Sequence, residues 1–354
     1  MQTAVREATN GADRAGQPMT GSNVADVQDF LLRSGLCGGE SATCRPLSGG
    51  VSSDLWRVDL PGRTICVKRA LARLRVADEW HAPLSRNAAE YAWLSFAGRH
   101  CPANVPRLLA HDADAGLFAM EFVPYPVWKA QLLAGRVDIR VSEAVGDVLG
   151  RLHRISSEEP AVAQTFAFDA NFDALRIDPY FRVTARRNPH VADRLRELAE
   201  RTASTRLALV HGDVSPKNIL TGPAGPIFLD AECAWFGDPA FDVTFCVNHL
   251  TLKTFVRPEC TDELRRAASA LLSAHEAHIR WEPADEFGER VATLLPALLL
   301  ARIDGASPVE YLTDTDRRVV RSVAAAMLLS PQVSAMRQWD DIQHMAAQQK
   351  APER

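Results

Sequence analysis

The chain has 354 residues, of which 47% are hydrophobic and 24% are charged, and its formal net charge is −4 at pH 7. This length allows two lobes that each have a core, and the composition is that of an ordinary globular protein. The slight negative charge gives no reason to expect a nucleic-acid or anionic-membrane partner. No apolar run reaches the roughly 20 residues that a membrane-spanning helix needs.

Residues 1–22 contain no apolar h-region and are rich in small residues, so we expect a disordered tail and no secretory signal. A second short tail is expected at residues 348–354. The seven cysteines are an odd number and form no CxxC pair, a usage typical of free thiols in a reducing compartment. We therefore expect a cytoplasmic protein.

Residues 23–123 are predicted to form a first lobe that consists mainly of strands. A Pro61-Gly62 turn between two apolar segments indicates a hairpin, and Pro124 and Pro126 interrupt the chain at the expected lobe boundary. In chain order the predicted elements are a helix over residues 23–34, strands over 55–60 and 64–68, a helix over 85–96, and strands over 105–110 and 117–123.

Residues 124–347 are predicted to form a second, larger lobe in which helices dominate. The segment 141–155 carries an apolar stripe at helical spacing, and 292–302 is apolar nearly all round, which indicates a buried helix. One strand-loop-strand region is predicted at 206–230, with helices again from 239 to about 345. Ligands favour clefts between lobes of this kind.

The strongest functional signal is the segment Leu207–Leu220, in which apolar strands enter and leave a polar loop. The loop contains Asp213 and Asn218, and Asp230 follows the next predicted strand. Phosphoryl transfer needs a carboxylate to orient or deprotonate the attacking hydroxyl, and oxygen ligands to hold Mg²⁺ against the phosphates of ATP. A hairpin can bring these three side chains to one point, whereas a single Asp–Asn pair would indicate only a polar turn.

The segment His211-Gly212-Asp213, with Asn218 and Asp230 downstream, resembles the catalytic and metal loops of the aminoglycoside phosphotransferase and choline kinase superfamily. The resemblance covers about residues 42–330. It implies an α+β, bilobal, protein-kinase-like fold with a small antiparallel-sheet N-lobe and a larger, mainly helical C-lobe. It also implies that Asp213 is the catalytic base, that Asn218 and Asp230 bind Mg²⁺, and that ATP phosphorylates a hydroxyl of a small molecule.

The N-lobe contains candidate residues for binding and aligning ATP. Ser48, Gly49 and Gly50 lie between two strands, where small residues let backbone N–H groups approach phosphates. Lys68 lies in an apolar strand and resembles the family's phosphate-binding lysine. Glu90, on the next helix, is the expected partner that fixes its ammonium group.

Glu121 and Val123 end the last strand of the N-lobe. In the kinase-like fold this segment is the hinge between lobes. The resemblance therefore implies that backbone groups of these two residues bind adenine.

Two stretches are similar to one branch of the superfamily, methylthioribose kinase. The similarity to its Asp-x-Glu metal loop adds Glu232 to the candidate metal ligands, and Asp242 is expected to brace the catalytic loop. Arg302 stands where that branch carries paired arginines that bind the sugar, so it is a candidate substrate residue, with pairing to a carboxylate as the alternative. Because that branch usually lacks an asparagine at the position of Asn218, methylthioribose itself is not assigned as the acceptor.

The acceptor is a sugar or polyol in the preferred interpretation, and an aminoglycoside or an amino alcohol such as choline in the alternative. Acidic residues over 282–289 would suit a polycation, but on a helix they indicate a solvated face. A nucleotide-binding pseudokinase scaffold is a further alternative, against which the intact Lys68, Asp213, Asn218 and Asp230 argue. The Asp-Phe-Gly signature of protein kinases is absent from the sequence, and Ala-Pro-Glu occurs only at residues 351–353, far from the segment after Asp230 where protein kinases carry it.

Overall fold

The computed structural model describes residues 21–38, 42–47, 53–71, 83–330 and 334–350. In these ranges the first part of the chain forms an antiparallel sheet and the remainder is mainly helical, so the expected α+β fold is confirmed. The expected N-terminal tail falls largely on residues 1–20, and the glycine-containing loop on residues 48–52. Both lie outside the described residues.

The N-terminal part is a five-stranded sheet with the order β1-β2-β3-β5-β4. Its strands are β1 (Thr43–Pro46), β2 (Ser53–Leu60), β3 (Arg63–Ala70), β4 (Leu108–Asp112) and β5 (Leu117–Glu121). Leu60 pairs with Arg63 across the predicted turn, where Gly62 has a φ of +74°. Glycine adopts this left-handed conformation without a steric penalty, so the turn closes as predicted.

Two helices cover the sheet, one on each face. Helix α1 (Gly21–Arg33) contributes Phe30 to a small core that also contains Val67 of β3. Helix α2 (Arg86–His100) packs on the other face, in the core that contains Cys66. Because side chains alternate along a strand, Lys68 faces α2 and the larger helical region.

The helical region begins after β5 and contains most of the described chain. Its helices are α3 (Trp128–Leu133), α4 (Ile139–Glu158), α5 (Pro160–Thr165), α6 (Asp169–Phe172), α7 (Val183–Arg187), α8 (Ala192–Ser204), α9 (Pro239–Val256), α10 (Thr261–Glu276), α11 (Ala284–Asp304), α12 (Asp314–Leu329) and α13 (Ala335–Lys350). Helix α11 is buried on nearly every side from Val291 to Ile303, as its sequence predicted. None of the described helices is both long enough and apolar enough to cross a bilayer.

A π-helical segment, Asp173–Arg182, joins α6 to α7 and contains Pro179. Proline has no N–H to donate, and it disrupts the usual α-helical hydrogen-bond ladder. π-helical geometry is rare, and where it occurs it is frequently found at functional sites.

Two small sheets lie in the helical region: β6 (Ala208–Val210) pairs with β9 (Trp235–Gly237), and β7 (Ile219–Gly222) pairs with β8 (Gly225–Phe228). The sequence predicted one strand-loop-strand region over 206–230. That prediction was incomplete, because β6 pairs with β9 and β9 lies beyond residue 230. The pairing places the loop after β6 beside the loop before β9.

Candidate active site

The backbone of the loop after β6 is held by Asp242, in the first turn of α9. The two carboxylate oxygens of Asp242 accept hydrogen bonds from the N–H groups of His211 and Gly212, each at 2.7 Å. Gly212 has a φ of +77°, and a Cβ at this position would lie 2.7 Å from the carbonyl oxygen of Cys233. The expected role of Asp242 as a brace is confirmed, and the tight loop requires glycine at position 212.

His211 links the two neighbouring loops. Its Nδ1 accepts from the N–H of Asp213 at 3.1 Å, and its Nε2 lies 3.2 Å from the carbonyl oxygen of Leu229. Burial lowers the pKa of His211, even though the charge of Asp242 opposes that shift. A neutral ring that donates from Nε2 fits these contacts, so His211 braces the loops as expected.

Asp213 is buried, and its carboxylate lies between two cations. Oδ2 is 3.0 Å from Nη2 of Arg176 and 3.2 Å from Nζ of Lys217. Burial alone would raise the pKa of Asp213, but the charges of Lys217 and Arg176 outweigh it and hold the pKa below its usual range. Asp213 is therefore ionised at neutral pH.

Arg176 was not predicted from the sequence. It lies in the π-helical segment, and its Nε donates to the carbonyl oxygen of Gly212 at 2.5 Å while Nη2 contacts Asp213. Several other arginines occur between 173 and 187. The apolar neighbours Leu175 and Ile177 were the available hint that this one is buried.

Lys68 connects the sheet to the loops of the helical region. Its Nζ lies 2.6 Å from Oε2 of Glu90 on α2 and 2.5 Å from Oδ1 of Asp230. Burial would lower the pKa of Lys68, but the charges of Asp230 and Glu90 prevail and raise it. Burial also raises the pKa of Glu90 to about 7, although Lys68 opposes that shift. The predicted lysine, its predicted helix partner and one predicted metal ligand therefore meet.

Asp230 has a φ of +65°, which is unusual for a residue other than glycine and costs about 1–2 kcal/mol. Backbone strain of this kind is concentrated at functional sites. Burial would raise the pKa of Asp230, but Lys68 and Lys217 lower it, so the carboxylate is ionised. Its second oxygen accepts no hydrogen bond from any residue that the structure describes.

Asn218 lies at the end of a short 3-10 turn before β7. Its Nδ2 donates to the carbonyl oxygen of Asp213 at 3.1 Å, while Oδ1 has no partner in the described part of the chain. Mg²⁺ usually takes one or two carboxylates, other oxygens and the phosphates of its nucleotide. The unshared oxygens of Asn218 and Asp230 fit such an ion.

Glu232, the third candidate metal ligand, contacts α2. Nε of Arg86 lies 3.1 Å from its Oε2, and both side chains are buried. Among the described residues, no three His, Cys, Asp or Glu side chains form a cluster that could hold a metal ion. A role for Glu232 at the metal stays a prediction.

The expected hinge residues lie at the end of β5 and just after it. The N–H of Glu121 donates to the carbonyl oxygen of Arg107 at 2.9 Å. The N–H of Val123 has no hydrogen-bond partner within the described ranges. Adenine binding at these residues, like phosphate binding at Ser48–Gly50, stays a prediction.

Arg302 lies in α11 and is buried. Its Nη1 donates to the hydroxyl oxygen of Tyr180 at 3.0 Å and to that of Ser307 at 3.1 Å. The carboxylate partner that was the alternative expectation is not found among the described residues. The substrate role of Arg302 therefore stays a prediction.

The sheet that presents Lys68 opposite Glu90, above loops that carry Asp213, Asn218 and Asp230, defines a protein-kinase-like phosphotransferase fold. The chain belongs to the phosphotransferase enzyme family (APH), whose model matches residues 43–258. A solved amicoumacin kinase, in complex with AMP-PNP, Ca²⁺ and Ami, covers 89% of this chain and 98% of its own, with a TM-score of 0.54 and 15% identity. At this level of identity, the similarity shows that the two proteins share a fold and does not show that they share a substrate.

Methylthioribose kinases are similar to part of the chain. The enzyme from Escherichia coli O45:K1 is 27% identical over 238 residues, which cover 58% of this chain and 56% of that protein. The enzyme from Yersinia enterocolitica serotype O:8 is 23% identical over 245 residues, covering 62% and 61% respectively. The chain thus spans little more than half the length of the curated relatives it matches.

Proposed function

We propose that this protein is a kinase that transfers the γ-phosphate of ATP to a hydroxyl of a sugar- or polyol-like small molecule, with Mg²⁺ as cofactor. The proposal depends most on one observation: the contact of Lys68 with both Glu90 and Asp230, at 2.6 and 2.5 Å. These partners are 22 and 162 positions away in sequence. Alignment of a nucleotide triphosphate requires a fixed lysine beside metal-binding oxygens.

Each side chain has a role that follows from its surroundings. Lys68, fixed by Glu90, would contact the phosphates, while Asn218 and Asp230 would hold Mg²⁺, which neutralises phosphate charge when bound. Asp213 would accept a hydrogen bond from the acceptor hydroxyl, orient its oxygen towards the γ-phosphorus, and take the proton as the new P–O bond forms. The bond between the γ-phosphorus and the oxygen that bridges it to the β-phosphate breaks, and ADP is the leaving group.

The rest of the nucleotide site belongs to the same proposal. Backbone N–H groups of Ser48, Gly49 and Gly50 would approach the phosphates, and backbone groups of Glu121 and Val123 would bind adenine. ATP and the acceptor would be the partners, in a cytoplasmic setting. The curated relatives, named methylthioribose kinases, support a sugar-like acceptor over an aminoglycoside or amino alcohol.

Replacement of Asp213 by Asn tests the assignment. The change keeps the shape of the side chain but removes the charge that orients the hydroxyl, so kcat should fall at least about 100-fold. The measurement is ADP release with Mg²⁺-ATP and a panel of sugars, polyols, aminoglycosides and choline. Asp193→Asn, an exposed carboxylate on α8, is the control and should retain wild-type turnover.

Two results would contradict the proposal. Wild-type turnover in Asp213→Asn would remove the role of this carboxylate. Tight binding of Mg²⁺-ATP without ADP release in the presence of any acceptor would favour a nucleotide-binding scaffold instead.

A further inference from the structure

Three basic side chains lie buried in α9 and α11 of the helical region. Lys253, His249 and Arg302 are 1%, 6% and 8% exposed. In the described part of the chain, none of the three forms an ion pair with a carboxylate. We refer to these three residues as the basic cluster.

A series of contacts connects Arg302 of the basic cluster to the candidate catalytic carboxylate. Nη1 of Arg302 donates to the hydroxyl of Tyr180 at 3.0 Å, and the ring of Tyr180 lies 5.3 Å from the guanidinium carbon of Arg176. Arg176 contacts Asp213 directly. Arg302 is therefore linked to Asp213 through Tyr180 and Arg176, and the charge of Asp213 also acts on His249.

Several polar atoms at the basic cluster have unused hydrogen-bonding capacity. Nε2 of His249, Nε of Arg302 and the hydroxyl of Tyr311 are buried and have no partner among the described residues. The ring of Tyr311 lies 5.2 Å from Nζ of Lys253 and 5.6 Å from Nζ of Lys129. Buried polar groups in native proteins are normally satisfied, so a group of three without partners indicates a place for a polar ligand or water.

Arg302 carries the permanent charge of the basic cluster, whereas burial and the charges of Arg302 and Lys253 hold the pKa of His249 well below its usual value, so that ring is neutral at pH 7. Burial, together with the charges of Lys129 and Arg302, lowers the pKa of Lys253 to about 7. Glu310, an acid at the rim, is ion-paired with Lys129, and Asp213 is already paired with two cations. A buried cation without a carboxylate is costly, and a ligand of opposite charge would offset that cost at Arg302 and favour the protonated form of Lys253.

We propose that the acceptor is a hydroxylated anion whose carboxylate or phosphate group binds at Arg302, Lys253 and Tyr311 while its hydroxyl faces Asp213. This narrows the acceptor class and rests on the proposed kinase function. An aminoglycoside or choline would place positive charge against like charge, which disfavours binding. A neutral polyol would leave the buried charge of Arg302 without a counter-charge.

Acceptors with three or six carbons and different charge test this proposal. ADP release is measured with glycerol, glycerate, glycerol 3-phosphate and serinol, and with sorbitol, gluconate and glucosamine. At least one anion should exceed its neutral analogue in kcat/KM by at least about tenfold, the effect of one charged hydrogen bond. Comparison of glycerate with glycerol 3-phosphate distinguishes the two anionic groups.

Variants localise the effect to the basic cluster. Arg302→Met and Lys253→Met should each raise KM for the preferred anion at least about tenfold and leave KM for ATP unchanged. Arg318→Met removes an exposed arginine of α12 and should change neither constant. Lys253→Met replaces a buried ammonium with an apolar side chain, so it keeps the test valid if Arg302→Met fails to fold.

Failure of this proposal is distinguishable from failure of the proposed function. Preference for neutral or amine acceptors would overturn the charge assignment while the kinase function stands. If no acceptor is phosphorylated, calorimetry of the Mg²⁺-ADP complex with glycerol 3-phosphate and gluconate decides the matter. Binding that Lys253→Met abolishes would support an anion site, and absence of binding would overturn it.

Discussion

The two cationic side chains that contact Asp213 differ in burial and in how firmly they are held. Arg176 is buried and hydrogen-bonded to the carbonyl oxygen of Gly212, whereas 52% of the Lys217 side chain is exposed. The guanidinium therefore holds the carboxylate in place, and the ammonium group can shift when phosphates arrive. Lys217 also acts on Asp230, whose pKa it helps to lower.

Replacement of Arg176 by Gln should make activity sensitive to acid. A carboxylate whose pKa is depressed in the folded protein stays ionised down to a pH below its usual range, so in the wild type Asp213 contributes no acid limb near neutrality. Without the guanidinium, Lys217 remains the main charge that opposes the effect of burial, so the pKa of Asp213 rises relative to the wild type. We expect the acid limb of kcat/KM to begin at a higher pH in the variant than in the wild type.

The control for this pH profile is Arg182→Gln, which removes an exposed arginine of the same segment that pairs with Asp173. Its profile should match that of the wild type. Parallel profiles for Arg176→Gln and the wild type would show that Arg176 supports only the fold of the loop.

At the scale of elements, helices α4 and α10 approach each other through glycine. A Cβ on Gly146 would lie 2.2 Å from the carbonyl oxygen of Leu271. Helix α4 also carries His153. Its Nδ1 lies 2.9 Å from Nε2 of His275 on α10, and its Nε2 lies 3.3 Å from Oδ2 of Asp242. The distance between these two helices therefore affects the position of His153, which contacts the Asp242 side chain that braces the catalytic loop.

Gly146→Ala should push α4 and α10 apart and lower the free energy of unfolding by about 1–3 kcal/mol, the usual effect of overpacking. The contact is with backbone, which cannot move aside as a flexible side chain would. Urea denaturation measures the change. Activity should fall as well, because the His153–Asp242 contact moves with the helix.

Gly288→Ala in α11 is the matched control. A Cβ there meets nothing within 4 Å, so the smaller backbone entropy of the unfolded alanine variant should stabilise the protein by about 0.5–1 kcal/mol. Equal effects of the two substitutions would contradict the close approach at Gly146.

At the scale of the whole molecule, buried polar contacts join the sheet region to the helical region. Lys68 reaches Asp230, Arg86 reaches Glu232, and Asn104 donates to the carbonyl oxygen of Pro226 at 2.8 Å. Two of these contacts involve residues next to the proposed nucleotide site. Nucleotide binding should therefore stabilise the whole molecule as well as the loops.

Mg²⁺-ATP should raise the melting temperature of the wild type, since a ligand at 100 times its Kd stabilises the folded state by about 2.7 kcal/mol. In Lys68→Met the ammonium that would hold the phosphates is gone, and the increase should be much smaller. Arg63→Met, an exposed cation at the β2–β3 turn, serves as control and should keep the full increase. An undiminished increase in Lys68→Met would exclude Lys68 from the nucleotide site.

Local patterns predicted most of the elements. The hairpin at Pro61-Gly62 and the buried helix around 292–302 were confirmed, because turn chemistry and apolar periodicity act over a few residues. Boundaries were less well predicted: α2 continues to His100, and β4 begins at Leu108 instead of Val105. The pairing of β6 with β9 was missed because β7, β8 and their loops lie between these two strands in the chain. The local sequence of a strand does not specify a partner that far away.

The sequence by itself indicated the fold class and Lys68, Glu90, Asp213, Asn218 and Asp230, because its catalytic-loop motif resembles that of a family whose fold and site residues could be carried over to matching positions. Only the tertiary structure decided which side chains meet them. Arg176 reaches Asp213 across 37 positions of sequence, and the basic cluster joins helices α9 and α11. Such neighbours are selected by packing and by pairing of buried charges, and no local spacing encodes them.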